Sequence, residues 1–159
     1  MTSSKPSHLP YTPHPLLWAM LKQVIRWQFP QVQQISPATL AEWLGSSDRP
    51  PPLLLDTRTE AEFAVSHLQS SQRIDSANLT HLEIESDTPI VAYCSVGYRS
   101  ARLCNQLQAL GYSNVLNLEG SLFQWANEGR SVYRAGQPVQ QVHPYDQLWG
   151  LLLTSELHG

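Results

Sequence analysis

Three short apolar runs constrain this chain more than anything else in it: Leu53 to Leu55, Ile90 to Tyr93 and Val115 to Leu118. Each is too short for a helix; the unbroken runs Leu53 to Leu55 and Ile90 to Tyr93 read as strands covered on both sides, and Val115 to Leu118, interrupted by Asn117, reads as a further strand. Residues at helical spacing follow each run. Thr59 and Glu62 stand at the capping-box positions of a short helix carrying Phe63 and Val65. Leu103, Leu107 and Leu110 mark a second helix, expected from about Ser100 and closed by Gly111, and Leu122, Phe123 and Trp125 mark a third that runs to Gly129. Val32 to Ile35 reads as one further strand. After it, Ser36 and Pro37 open a helix with Leu40, Trp43 and Leu44 that stops at Gly45. Strands that alternate with helices predict an α/β fold: a doubly wound, mostly parallel sheet with helices on both faces.

A chain of 159 residues with 42% hydrophobic residues suits one domain with short extensions. We expect a loose arm and an amphipathic helix over 1–30, the domain over 31–130, and an extension over 131–159 that packs back on it. The arm, Met1 to Pro13, is rich in Pro, Ser and His and has no apolar period. The helix from Pro15 to Phe29 carries Leu17, Met20, Leu21, Val24 and Ile25, and Lys22, Gln23 and Arg26 interrupt it, which excludes a membrane span. An apolar cluster at Leu148, Trp149, Leu151, Leu152 and Leu153 is expected to pack against the domain; residues 15–29 and 148–153 are also the candidate surfaces for a homodimer or partner contact. Ser66 to Thr88 is read mostly as loop. Arg73, Ile74 and Asn78 to Leu82 are its only strand material.

The formal charge of −3 gives no overall field for nucleic acid, so any anion site must be local. Two cysteines and no secretory signal fit a reducing, cytoplasmic setting. The histidines show no metal-ligand spacing.

The chemistry concentrates in Cys94-Ser95-Val96-Gly97-Tyr98-Arg99-Ser100. A cysteine at the end of a buried parallel strand, ahead of a helix N-terminus, lies where open α/β sheets place their ligands. Loop amides and the helix dipole favour negative charge on the sulfur, Gly97 permits the unusual backbone such a loop needs, and Arg99 adds positive charge beside the thiol. This environment favours a thiolate nucleophile. Cys104, about one turn along the helix, reads as a small apolar core residue, Trp125 as core, and His143 as a packing residue of the tail.

These residues resemble the single-domain rhodaneses, sulfurtransferases that carry sulfur as a cysteine persulfide. The resemblance runs from about Val32 to Gly129 and takes in Leu55-Asp56-Thr57-Arg58 with Glu62-Phe63, and Asn117-Leu118-Glu119-Gly120 with Trp125. It implies that Cys94 forms the persulfide and that Arg99 orients an anionic donor such as thiosulfate. It further implies that Ser95, Val96, Gly97, Tyr98 and Ser100 line the site, while Asp56 and Arg58 support the loop. The implied acceptors are cyanide, a small thiol or a protein thiol, with no metal or organic cofactor.

Related phosphatases and arsenate reductases have Cys-x5-Arg. The shorter Cys-x4-Arg count from Cys94 to Arg99 disfavours oxyanion chemistry, and the presence of Cys94 disfavours a binding or regulatory module without turnover. After Phe63 the family's small Gly- and Pro-containing turn is replaced by Ser66 to Ser71. A shallow pocket, open to a protein-bound acceptor, is expected from that replacement.

Overall fold

The structure, a computed structural model, describes residues 12–159, so nearly all of the arm expected over 1–13 lies outside it. Strands β1 (Gln33–Ile35), β2 (Leu53–Asp56), β3 (Gln72–Arg73), β4 (Ile90–Tyr93) and β5 (Val115–Leu118) form a five-stranded sheet in the order β1-β5-β4-β2-β3. Every pairing is parallel. β4, in the middle, is buried at every residue, as its unbroken apolar run requires.

Side chains alternate across the sheet, and the alternation splits the core in two. Leu54, Val91, Tyr93 and Leu118 face helices α2 (Pro37–Gly45) and α5 (Ser121–Asn127). Leu55, Ile90, Ala92 and Val115 face α4 (Tyr98–Ala109). Helix α1 (Pro15–Gln28) serves both cores, giving Trp18 to the first and Ile25 to the second, with Leu21 packed against each.

Local signals set the helix ends. Ser36 Oγ accepts from Thr39 N at 3.1 Å to start α2. Thr59 and Glu62 close a reciprocal capping box at the start of α3 (Glu60–Val65). α4 starts at Tyr98, two residues before the expected Ser100, because Gly97 takes φ 110° and turns the chain directly into the helix.

The stretch from Ser66 to Thr88 hides one edge strand. Both residues of β3 are exposed and polar, and they pair with Leu55 and Asp56 of β2; Asn78 to Leu82 contains a 3-10 turn at Leu79–His81 rather than a strand. The tail forms an antiparallel hairpin, β6 (Val132–Arg134) and β7 (Gln137–Val139). Beyond it Val142, Leu152 and Leu153 are buried in the same core as Trp18, whereas Leu148 and Leu151 remain exposed. Among the described residues no helix is long and apolar enough to cross a membrane.

Candidate active site

Cys94 immediately follows β4, at the carboxyl end of the sheet's middle strand. The first turn of α5 fixes its backbone. Cys94 N–H donates to Ser121 Oγ at 3.1 Å, and Ser121 Oγ–H donates onward to the Leu118 carbonyl at 2.9 Å. The carbonyls of Cys94 and Ser95 accept from Leu122 N and Phe123 N at 3.1 and 3.0 Å. Held this way, Cys94 Sγ accepts from Gly97 N–H at 3.1 Å and from the Ser100 hydroxyl at 3.5 Å. Both donors stabilise negative charge on sulfur. Asn117 Nδ2 donates to the Gly97 carbonyl at 3.1 Å, which pins the far side of the turn. A side chain at Gly97 would meet nothing closer than 3.6 Å, so its backbone conformation, not space, calls for glycine there.

The α4 end of the loop is held by Glu62, which the sequence marks as a helix cap and as part of the family resemblance but not as a partner of the loop. Its carboxylate accepts from Thr59 N and Thr59 Oγ at 2.9 Å, from Ser95 Oγ at 3.1 Å, and from Arg99 Nη1 and Nη2 at 2.9 and 2.8 Å. Burial alone would raise the Glu62 pKa, but the Arg99 and Thr59 hydrogen bonds overcome it and hold the carboxyl at about 2. For Arg99, burial acts against the charge; its bonds to Glu62 and the field of Cys94 outweigh this and raise its pKa. Both terminal nitrogens of Arg99 are therefore committed to Glu62, and Nη2 also donates to Ser95 Oγ at 3.0 Å.

Asp56 and Arg58 lie deeper. Arg58 Nη2 donates to Asp56 Oδ2 and to the Ser66 carbonyl, each at 2.7 Å, and the guanidinium sits 5.8 Å from the centre of the Tyr93 ring. Their contacts run to β4 and to the chain after α3, and neither residue lines the pocket over Cys94. Cys104 is fully buried, and burial pushes its thiol pKa up, with the Cys94 charge adding to the shift.

Above Cys94 opens a pocket of about 380 Å³, lined by Leu21, Val24, Cys94, Ser95, Val96, Tyr98, Arg99, Tyr145 and Trp149. The expected shallow site is not what forms. α1 supplies Leu21 and Val24 and the tail supplies Tyr145 and Trp149, walls that rise above the cysteine loop. The Tyr145 ring lies over the Arg99 guanidinium at 4.8 Å. Residues 95, 96, 98 and 99 reach the pocket, while Gly97 and Ser100 act on Sγ from behind. The sequence shows Leu21, Val24 and Trp149 as apolar and nothing more, and Tyr145 carries no signal at all.

The Rhodanese-like domain family model matches residues 36–128. A sulfurtransferase of Allochromatium vinosum is 34% identical over 100 residues, an alignment that covers 62% of this chain and 92% of that protein. A tRNA uridine(34) hydroxylase of Xanthomonas euvesicatoria is also 34% identical over 105 residues, but this chain spans only 42% of its length. Among solved structures, a rhodanese-related protein of Thermoplasma volcanium superposes with TM-score 0.55 at 27% identity, over 64% of this chain and 97% of that one. The walls from α1 and the tail fall outside the matched span; the cysteine, its loop and Glu62 all fall inside it. On that shared core, the chain belongs to the rhodanese-like family.

Proposed function

We propose that this protein is a sulfurtransferase that carries sulfane sulfur as a persulfide on Cys94. The observation that carries the reading is the position of Sγ: at the base of a pocket, facing donors from Gly97 N–H and Ser100 Oγ–H, with Arg99 alongside. The sulfurtransferase among its relatives supports it. Donors set for negative charge suit both the thiolate and the terminal sulfur of a persulfide.

With thiosulfate as donor, the Cys94 thiolate attacks the outer sulfur, the bond between the two donor sulfurs breaks, and sulfite leaves with the electron pair. The outer sulfur stays on Cys94. In the second half, an acceptor such as cyanide attacks that sulfur and the pair returns to Sγ, which regenerates the thiolate. No general base is needed once the thiol is ionised. Arg99 contributes as a fixed positive charge beside the reacting sulfurs: Glu62 holds both terminal nitrogens in place, and the N–H groups outside these bonds remain to face an anionic donor. Asp56 and Arg58 act through Tyr93 and the chain after α3, as supports of the strand end.

The test is thiocyanate production from thiosulfate and cyanide by reduced protein. Turnover by the unmodified chain and by Cys104→Ser, absent in Cys94→Ser, is the expected result. Equal rates in Cys94→Ser and the parent would overturn the assignment.

A further inference from the structure

The pocket over Cys94 is unlike its floor. The floor is polar and belongs to the region shared with the family, while the walls are Leu21, Val24 and Trp149, with the Tyr145 ring covering Arg99, and come from outside it. About 380 Å³ holds on the order of a dozen water-sized groups, far more than thiosulfate or cyanide fills. The one cation that lines it, Arg99, already has both terminal nitrogens on Glu62. Lys22, the next basic residue on α1, sits with its ammonium 5.6 Å from the centre of the Trp18 ring and borders a separate hollow. A large ligand with charges spread along it would lose its water against these walls, whereas thiosulfate is small enough to stay beside Arg99 at the floor. An apolar group would gain from every carbon it buries.

Resting on the sulfurtransferase reading above, we propose that this pocket selects the sulfur acceptor, and that the acceptor is a thiol borne on an apolar group of several carbons. The acceptor thiolate attacks the outer sulfur of the Cys94 persulfide. The sulfur–sulfur bond to Cys94 breaks, its electron pair returns to Sγ as thiolate, and the outer sulfur leaves on the acceptor as the product persulfide anion, R–S–S⁻. Leu21, Val24 and Trp149 set the specificity by holding R, and the reaction needs no outside oxidant or reductant.

The experiment loads Cys94 with thiosulfate, verifies the one-sulfur adduct by intact mass, and then follows its discharge by ethanethiol, butanethiol, hexanethiol and glutathione. Each rate is normalised to that thiol's rate with a small-molecule persulfide. Full burial is worth about fourfold per methylene, so the discharge constant is expected to rise about tenfold or more from ethanethiol to butanethiol, with glutathione slower than hexanethiol. Val24→Glu, at a half-exposed site, and Trp149→Ala should both flatten the series. Trp27→Ala, 84% exposed on α1 and outside the pocket lining, should keep its slope.

A loaded protein that discharges to all the alkyl thiols at one rate, or fastest to glutathione, would overturn the acceptor class and leave sulfur carriage standing. A slope that survives in Val24→Glu and Trp149→Ala but is lost in Trp27→Ala would overturn the pocket as its cause and place the contact on the outer face of α1. Failure to load would overturn the sulfurtransferase reading, and this inference with it.

Discussion

Arg58 and Arg99 each close on a carboxylate, at 2.7 and 2.8 Å, yet one pair is sealed inside the protein and the other borders the pocket. The Arg58 and Asp56 side chains are both 0% exposed, whereas the Arg99 side chain keeps 32% of its surface open, with Glu62 buried beneath it. Burial acts against the charge on Arg58, and the hydrogen bonds and charge of Asp56 reverse it, so the ion survives without water. Its guanidinium holds β2 to the chain after α3 through the Ser66 carbonyl. The second pair stands where α3, the cysteine loop and α4 meet, and what it holds in place is Ser95 and the start of α4. The same chemistry thus braces the fold at one site and shapes the pocket over Cys94 at the other. Sequence distance tells them apart: Asp56 and Arg58 are local, but Glu62 and Arg99 meet only through the fold.

The largest effect should come from breaking the sealed pair. Arg58→Ala strands a buried carboxylate and is expected to cost about 3–5 kcal/mol, measured by urea unfolding at neutral pH. A loss below about 1 kcal/mol would mean that Asp56 finds another partner or takes up a proton. Joint replacement, Asp56→Asn with Arg58→Met, should recover part of the loss, because no lone charge remains.

Glu62→Gln should cost somewhat less and show a pH signature of its own. Glu62 titrates at about 2 in the fold against an ordinary 4.5. A carboxyl so lowered contributes on the order of 3 kcal/mol, complete above about pH 5 and lost as pH falls toward about 2. The stability gap between parent and Glu62→Gln should therefore narrow over that window. A gap constant from pH 6 to 2.5 would contradict the carboxylate's role. Because the substitution also frees Arg99 and Ser95, persulfide loading should slow by roughly 10²-fold, which a stopped-time mass assay would read.

How much of this is legible in the sequence depends on the reach of each signal. β2 and β4 announce themselves because burial on both faces demands runs of apolar residues, β5 does so less cleanly because Asn117 interrupts it, and the Thr59–Glu62 cap does so because its partners are three residues apart. β3 leaves no such mark. It is an edge strand of Gln72 and Arg73, made by pairing with Leu55 and Asp56 and not by its own side chains. Cys94, Arg99 and the loop between them are readable as a unit, but the second use of Glu62, on Ser95 and Arg99, spans 33 and 37 residues and has no local pattern. The pocket walls are the least legible part. The apolar character of Leu21, Val24 and Trp149 foretells burial somewhere, and only the docking of α1 and the tail decides that it is over Cys94.

Thr59→Ala offers the smallest and finest cut. It removes one donor to Glu62 and the acceptor for Glu62 N–H, for a loss of about 1 kcal/mol in thermal unfolding. Arg99 still holds the carboxylate, so loading should change by less than about threefold. A loss of loading as large as that of Glu62→Gln would show that the cap, not the ion pair, positions the loop.

The most direct measurement is the intact mass of reduced protein after thiosulfate, run beside Cys94→Ser and Cys104→Ser. The expected result is the added mass of one sulfur in the parent and in Cys104→Ser, none in Cys94→Ser, and return to the starting mass with cyanide. An adduct that survives in Cys94→Ser, or none in any protein across thiosulfate, mercaptopyruvate and a persulfide donor, would contradict it.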